Sequence, residues 1–122
     1  GLVDGGQLWL VFGAGGKRSR SKRRPLGLAA RAADRIVLTS DNPRDEDPAE
    51  IIDEVRLGVG DHPGLLVELD RARAITHAVT SAASGDLVIV AGKGHEREQE
   101  GPDGRRPFSD VEVVRAAVEA RD

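Results

Sequence analysis

The sequence predicts an α/β fold: a mostly parallel sheet flanked by helices, with a small antiparallel hairpin at its edge. Two observations carry that prediction. The apolar runs Leu8-Trp9-Leu10-Val11-Phe12, Arg35-Ile36-Val37-Leu38-Thr39 and Leu87-Val88-Ile89-Val90-Ala91 do not alternate with polar residues, which is how strands covered on both faces read. Stretches with helical spacing lie between them, and strands alternating with helices join into a parallel sheet through right-handed crossovers.

Each element has its own signal. After the first strand, Pro25 stands at a first helical position, followed by Leu26 and an alanine-rich stretch to Ala33. Beyond the second strand, Asp47-Pro48-Ala49-Glu50 reads as an N-cap, a proline at the first position and a capping-box acid, with Ile51, Ile52 and Val55 on one face. Leu65-Leu66-Val67-Glu68-Leu69 is a weaker strand. Asp70 caps a helix carrying Ile75 and Val79, which Gly85 is expected to end. Gly101-Pro102-Asp103-Gly104 is a turn between Glu98-Gln99-Glu100 and Arg105-Arg106-Pro107-Phe108. Ser109-Asp110-Val111-Glu112 repeats the capping-box pattern ahead of Val114 and Val118.

Composition narrows the function. The 122 residues fit one domain, residues 1–122, and with Gly1 first and no Met the chain reads as a piece of something longer. Cysteine is absent, which excludes disulfide frameworks, thiolate metal sites and cysteine nucleophiles. Trp9, Phe12 and Phe108 are the whole aromatic set, too few rings for a base-stacking nucleic-acid module. No apolar run approaches the roughly 20 residues of a membrane span, and no signal peptide opens the chain, so a cytoplasmic protein is expected. The net charge of −3 hides a basic cluster, six Lys and Arg within Lys17–Arg24, on an otherwise acidic body. That distribution points to a local anion site.

Three unusual loops follow the three main strands, at the edge where open α/β sheets bind ligands. Gly13-Ala14-Gly15-Gly16-Lys17-Arg18-Ser19 is not a Walker A loop, because Val11 stands where Gly is needed and Arg18 where Ser or Thr is, nor a dinucleotide fingerprint, because Arg18 occupies the third Gly position. What remains is a flexible turn beside basic side chains, suited to a phosphate or carboxylate; a plain solvated loop is the bland alternative. Asp41-Asn42-Pro43-Arg44 is a turn by composition, and it also holds Arg44 on a rigid segment where a guanidinium can grip a carboxylate. In Ala91-Gly92-Lys93-Gly94-His95-Glu96 two glycines permit close backbone approach to a ligand, and Glu96 can bind an ammonium group. His95 reads as structural, and no set of metal ligands or nucleophilic triad is recognisable.

Taken in order, Phe12-Gly13-Ala14-Gly15-Gly16, Arg24-Pro25-Leu26, Thr39-Ser40-Asp41-Asn42-Pro43-Arg44, Val88-Ile89-Val90-Ala91-Gly92-Lys93-Gly94-His95-Glu96 with Gln99, and Phe108-Ser109-Asp110 resemble the C-terminal domain of Mur ligases. The nearest likeness is to the members that add meso-diaminopimelate to the UDP-N-acetylmuramoyl-dipeptide. The first loop departs from the family's usual acids at Lys17 and Ser19. The resemblance implies a Rossmann-like third domain that recruits the amino acid, partnered by N-terminal and central domains, the latter holding ATP and Mg2+. It implies that Asp41, Asn42, Arg44, Gly92 and Glu96 line the diaminopimelate site, that Arg18 matches the family's first-loop arginine, and that no catalytic residue resides here. Other readings stay open: a lysine-adding Mur ligase, folylpolyglutamate synthase, or a stand-alone anion-binding α/β module.

Overall fold

The structure, a computed structural model, describes residues 5–14, 22–41, 46–91, 98–101, 104–107 and 109–121. Four parallel strands, β1 (Leu8–Phe12), β2 (Arg35–Leu38), β3 (Leu65–Val67) and β4 (Leu87–Val90), pair in the order β3-β2-β1-β4. Helices α1 (Arg23–Ala30), α2 (Pro48–Val59), α3 (Arg71–Ser81) and α4 (Asp110–Arg121) complete the layers.

The two-residue period of each strand divides the core in two. Trp9 and Val11, with Val37 of β2, meet Ala74, Ile75 and Ala78 of α3 and Ala117 of α4. On the opposite side Phe12, Ile36 and Leu38 meet Ala30 of α1 and Ile51, Ile52, Val55 and Val59 of α2. Ile36 and Val55 are fully buried, and each such side chain contributes about 1.5–3 kcal/mol. Helices α1 and α2 touch backbone to backbone: a Cβ on Gly27 would strike Val55 O, and one on Gly58 would strike Arg24 O.

The amino ends of the strands are tied by two carboxylates. Asp34 accepts the Leu8 N–H at 2.7 Å, and Asp86 accepts those of Gln7 at 2.8 Å and Ala83 at 2.9 Å. The Asp86 carboxylate also takes the Trp9 indole N–H at 3.0 Å. These bonds, first Leu8 for Asp34 and first Gln7 for Asp86, hold both carboxyls below the usual carboxylate range.

The expected caps form. Asp47 accepts the Ala49 N–H at 2.9 Å, Asp70 that of Arg73 at 3.2 Å, and Ser109 that of Glu112 at 3.4 Å. Three details differ from expectation. Helix α1 starts at Arg23, so Pro25 is its third residue; this is still the first turn, whose N–H groups lack acceptors within the helix. Helix α3 ends at Ser81, where Ala82 turns extended, and Gly85 (φ +93°) serves the following turn instead. Strands β5 (Glu98–Gly101) and β6 (Gly104–Pro107) form the antiparallel hairpin, but as a separate two-stranded sheet and not as an edge of the main one. Its polar sequence Glu98-Gln99-Glu100 lacks the apolar residues that a sheet covered on both faces demands. Among the described residues no helix is long and apolar enough to cross a membrane.

Candidate functional site

From β1 the chain steps outward through α1 to β2 and through α2 to β3, then returns by α3 to β4 on the other side of β1. The winding direction therefore reverses between β1 and β4. Beyond the carboxyl ends of the strands, such a reversal opens the crevice where α/β sheets take ligands.

The three chain segments leaving this edge are bound to one another. Thr39 N donates to Phe12 O at 2.8 Å, and Ala91 N donates to Val11 O at 2.9 Å. Gly13 is buried, and a Cβ there would collide with the backbone of Thr39, Ser40 and Asp41. Only glycine lets the segments after β1 and β2 pass this closely.

Two buried arginines complete the arrangement. Arg71, at the start of α3, is fully shielded from solvent. Its Nε and Nη2 donate to the two carboxylate oxygens of Asp110, each at 2.7 Å. Nη1 also donates to Ser40 O and Nη2 to Ala91 O, both at 3.0 Å. One planar fork thus joins the beginnings of α3 and α4 to the ends of β2 and β4. Removing one partner from such a buried pair costs about 3–5 kcal/mol, because the other charge is stranded.

Arg23, the second, is 1% exposed at the start of α1. Its Nη2 donates to Glu46 at 3.0 and 3.1 Å, and its Nη1 to Glu54 of α2 at 3.2 Å. Burial disfavours the Arg23 charge, but the hydrogen bonds and fields of Glu46 and Glu54 outweigh it and raise its pKa above the ordinary arginine value. Glu46 stands just before α2, so the entry of the chain into that helix is anchored on α1.

Of the residues singled out by sequence, Asp41 lies at this edge, half-buried just after β2, with its Oδ1 shielded from solvent. Arg18, Asn42, Arg44, Gly92 and Glu96 lie outside the described residues. The Thr39 hydroxyl is buried here and has no hydrogen-bond partner among the described residues. Among the described residues no group of three or more His, Asp or Glu side chains could hold a metal ion. A hollow lined mainly by Val79, Ala82, Val88, Val90, Val114 and Val118, with Asp86 and Arg121 also in its wall, lies between β4, α3 and α4; Asp86 is engaged by Gln7, Trp9 and Ala83, and Arg121 by the carbonyls of Val79 and Ala82.

Sequence reasoning missed Arg71, Asp110, Arg23 and Glu46. A signal existed for both arginines. Arg71 shares the helical stripe of Ile75 and Ala78, and Arg23 that of Gly27 and Ala30, so each extends a buried face. A charge on such a face requires a partner. Which acid serves it, 39 residues away for Asp110, has no local signature.

A parallel sheet wound in both directions, with the chain leaving β1, β2 and β4 side by side at its carboxyl edge, defines an α/β domain of the Rossmann-like class. The chain belongs to the Mur ligase family: residues 2–94 match the domain described as "Mur ligase, glutamate ligase domain". It is 53% identical over 119 residues to the UDP-N-acetylmuramoyl-L-alanyl-D-glutamate--2,6-diaminopimelate ligase of Ralstonia nicotianae, covering 96% of this chain and 23% of that protein. With the ligase of the same name from Aquifex aeolicus, identity is 48% over 111 residues, or 90% of this chain and 23% of the relative. A solved structure of a ligase so named superposes with a TM-score of 0.88 at 44% identity, covering 94% of this chain and 24% of that one. The chain therefore spans about a quarter of the length of these relatives.

Proposed function

We propose that residues 1–122 form the amino-acid-recruiting domain of an ATP-dependent ligase that adds meso-diaminopimelate to the UDP-N-acetylmuramoyl-dipeptide during peptidoglycan synthesis. The names of the relatives support the substrate class. The observation that carries the reading is structural. Ser40 and Ala91, the residues just before Asp41 and Gly92, both give their carbonyls to Arg71 at 3.0 Å. Segments widely separated in sequence thus start side by side, as two walls of one amino-acid site require.

In this reading Arg44 grips the side-chain carboxylate of diaminopimelate, with Asp41 and Asn42 beside it. Gly92 and Glu96 meet the far end of the same molecule, and Arg18 meets an anion of the precursor. Among the described residues no group of acids fits a magnesium site, and in this reading ATP and Mg2+ are held mainly by the central domain of the ligase. When bound there, they supply phosphoryl activation of the precursor's glutamate carboxylate. This chain's contribution is to hold the diaminopimelate amine in line with that carboxylate, replacing a chance encounter by a fixed geometry.

The test exploits the one group that distinguishes diaminopimelate from lysine, its extra carboxylate. A charge-assisted pair with Arg44 is worth about 1.5–3 kcal/mol, which is roughly ten- to a hundredfold in discrimination. In the ligase polypeptide carrying this chain, Arg44→Ala should abolish most of the preference for diaminopimelate over lysine in kcat/KM. Arg44→Lys should restore only part of it, since an ammonium cannot reproduce the planar fork. An unchanged ratio in both variants would overturn the assignment.

A further inference from the structure

We propose that Arg71 is a positioning residue for amino-acid recognition: clamped by Asp110, it sets the distance between the two segments that carry the recognition groups. The inference rests on the proposed diaminopimelate site, but its observations are independent of it. Strand β1 lies between β2 and β4 in the sheet, so the segments after β2 and β4 do not pair directly. The Arg71 guanidinium joins them across the end of β1, accepted by Ser40 O on one side and Ala91 O on the other. Asp110 fixes its plane through two bonds of 2.7 Å, and α4 begins at this aspartate.

Three features separate this role from simple packing and from ligand binding. A buried ion pair is a poor way to join helices for stability alone, because apolar side chains of similar volume usually do as well or better. Four of the five N–H groups of Arg71 are engaged, one from Nε, one from Nη1 and both from Nη2, and Asp110 balances the charge. Little donor capacity remains for a substrate carboxylate, so Arg71 acts through other residues. Its acceptors are also backbone carbonyls at the two exits, and shifting either would move the residue that follows.

The experiment uses the ligase polypeptide carrying this chain, with Arg71→Lys and Asp110→Asn compared with wild type. Lysine keeps the charge opposite Asp110 but cannot span both carbonyls with a planar fork. Asparagine keeps the shape of Asp110 and weakens its grip on Nε and Nη2. Steady-state KM is measured separately for diaminopimelate, ATP and the UDP-dipeptide, with folding checked by circular dichroism. Both variants should raise KM for diaminopimelate, roughly 10- to 100-fold for Arg71→Lys, with the other two constants within about twofold of wild type. Equal increases in all three constants, or an unchanged diaminopimelate KM in a folded variant, would overturn the inference. Asp110→Asn is read by the same criteria and decides the matter if Arg71→Lys folds poorly. Arg44→Ala, run in parallel, separates the two levels. If it raises the diaminopimelate KM while both positioning variants leave it unchanged, the inference fails alone. If Arg44→Ala also leaves that KM unchanged, the site reading has failed and the inference falls with it.

Discussion

At the scale of single residues, the two edges of the sheet use charge differently. Along the carboxyl edge, Arg71 and Arg23 are buried cations satisfied by acids brought from elsewhere in the chain. Along the amino edge, Asp34 and Asp86 are carboxylates satisfied mainly by backbone N–H groups, those of Leu8 and Gln7 at β1 and that of Ala83 ahead of β4. Those bonds give the protein a defined acid sensitivity. The folded-state pKa of Asp86 is depressed, first by the Gln7 N–H, then by the Ala83 N–H and the Trp9 indole. Its contribution to stability is therefore present above the unfolded-state value of about 3.9 and is lost as pH falls through the lower folded value. Asp86→Asn should lower the melting temperature at neutral pH and flatten its decline below about pH 4, with Asp34 retaining part of the slope. Melting is best followed by circular dichroism, because the indole of Trp9 touches Asp86 and its fluorescence would change with the substitution itself. An unaltered pH slope in Asp86→Asn would show that this carboxylate does not carry the effect. His62 is also structural: Nδ1 accepts the Gly64 N–H at 3.0 Å, which leaves Nε2 as the donor to Ala33 O at 2.9 Å.

At the scale of elements, the contact between α1 and α2 sets propensity against packing. Alanine is better than glycine inside a helix by about 1 kcal/mol, so Gly58→Ala would stabilise α2 in isolation. In the folded chain the added Cβ meets Arg24 O and stands 2.9 Å from Leu28 N, backbone atoms that cannot swing aside. The helices would have to part, and overpacking of this kind costs about 1–3 kcal/mol. Packing should win. Gly58→Ala is expected to lower the melting temperature by about 4 °C or more, whereas Leu57→Ala, at the neighbouring and exposed position, should change stability by no more than about 0.5 kcal/mol. A Gly58→Ala variant as stable as wild type would mean that the two helices separate at little cost.

At the scale of the whole molecule, the proposed division of labour gives carboxylate activation to the rest of the ligase and amino-acid recruitment to this chain. Its first loop lacks the residues of a phosphate-binding Walker motif, and among its described residues no acidic cluster fits a metal. The chain also spans only about a quarter of the relatives that it matches. Supplied alone with ATP, Mg2+, the UDP-dipeptide and diaminopimelate, it should therefore show no product formation above buffer. Turnover by the isolated chain that disappears on Arg71→Lys would place the chemistry within these 122 residues and refute the division of labour proposed above.

Local chemistry is what the sequence by itself determined. The unbroken apolar runs identify β1, β2 and β4 because a parallel sheet is buried on both faces. Asp47, Asp70 and Ser109 mark helix starts because each side chain satisfies an N–H group within a few residues. The ordered blocks from Phe12 to Asp110 identify the family by residue type and spacing, without any knowledge of distance. Asp41 and the four residues named with it for the diaminopimelate site could be proposed in the same way. Strand order was decided only by the tertiary structure, since the return of α3 to the far side of β1 depends on which packed faces remain open. The same holds for the pairing of Arg71 with Asp110 and of Arg23 with Glu46. Each joins residues more than twenty positions apart, and the enclosure that makes such a pair necessary exists only once the helices have closed over the sheet.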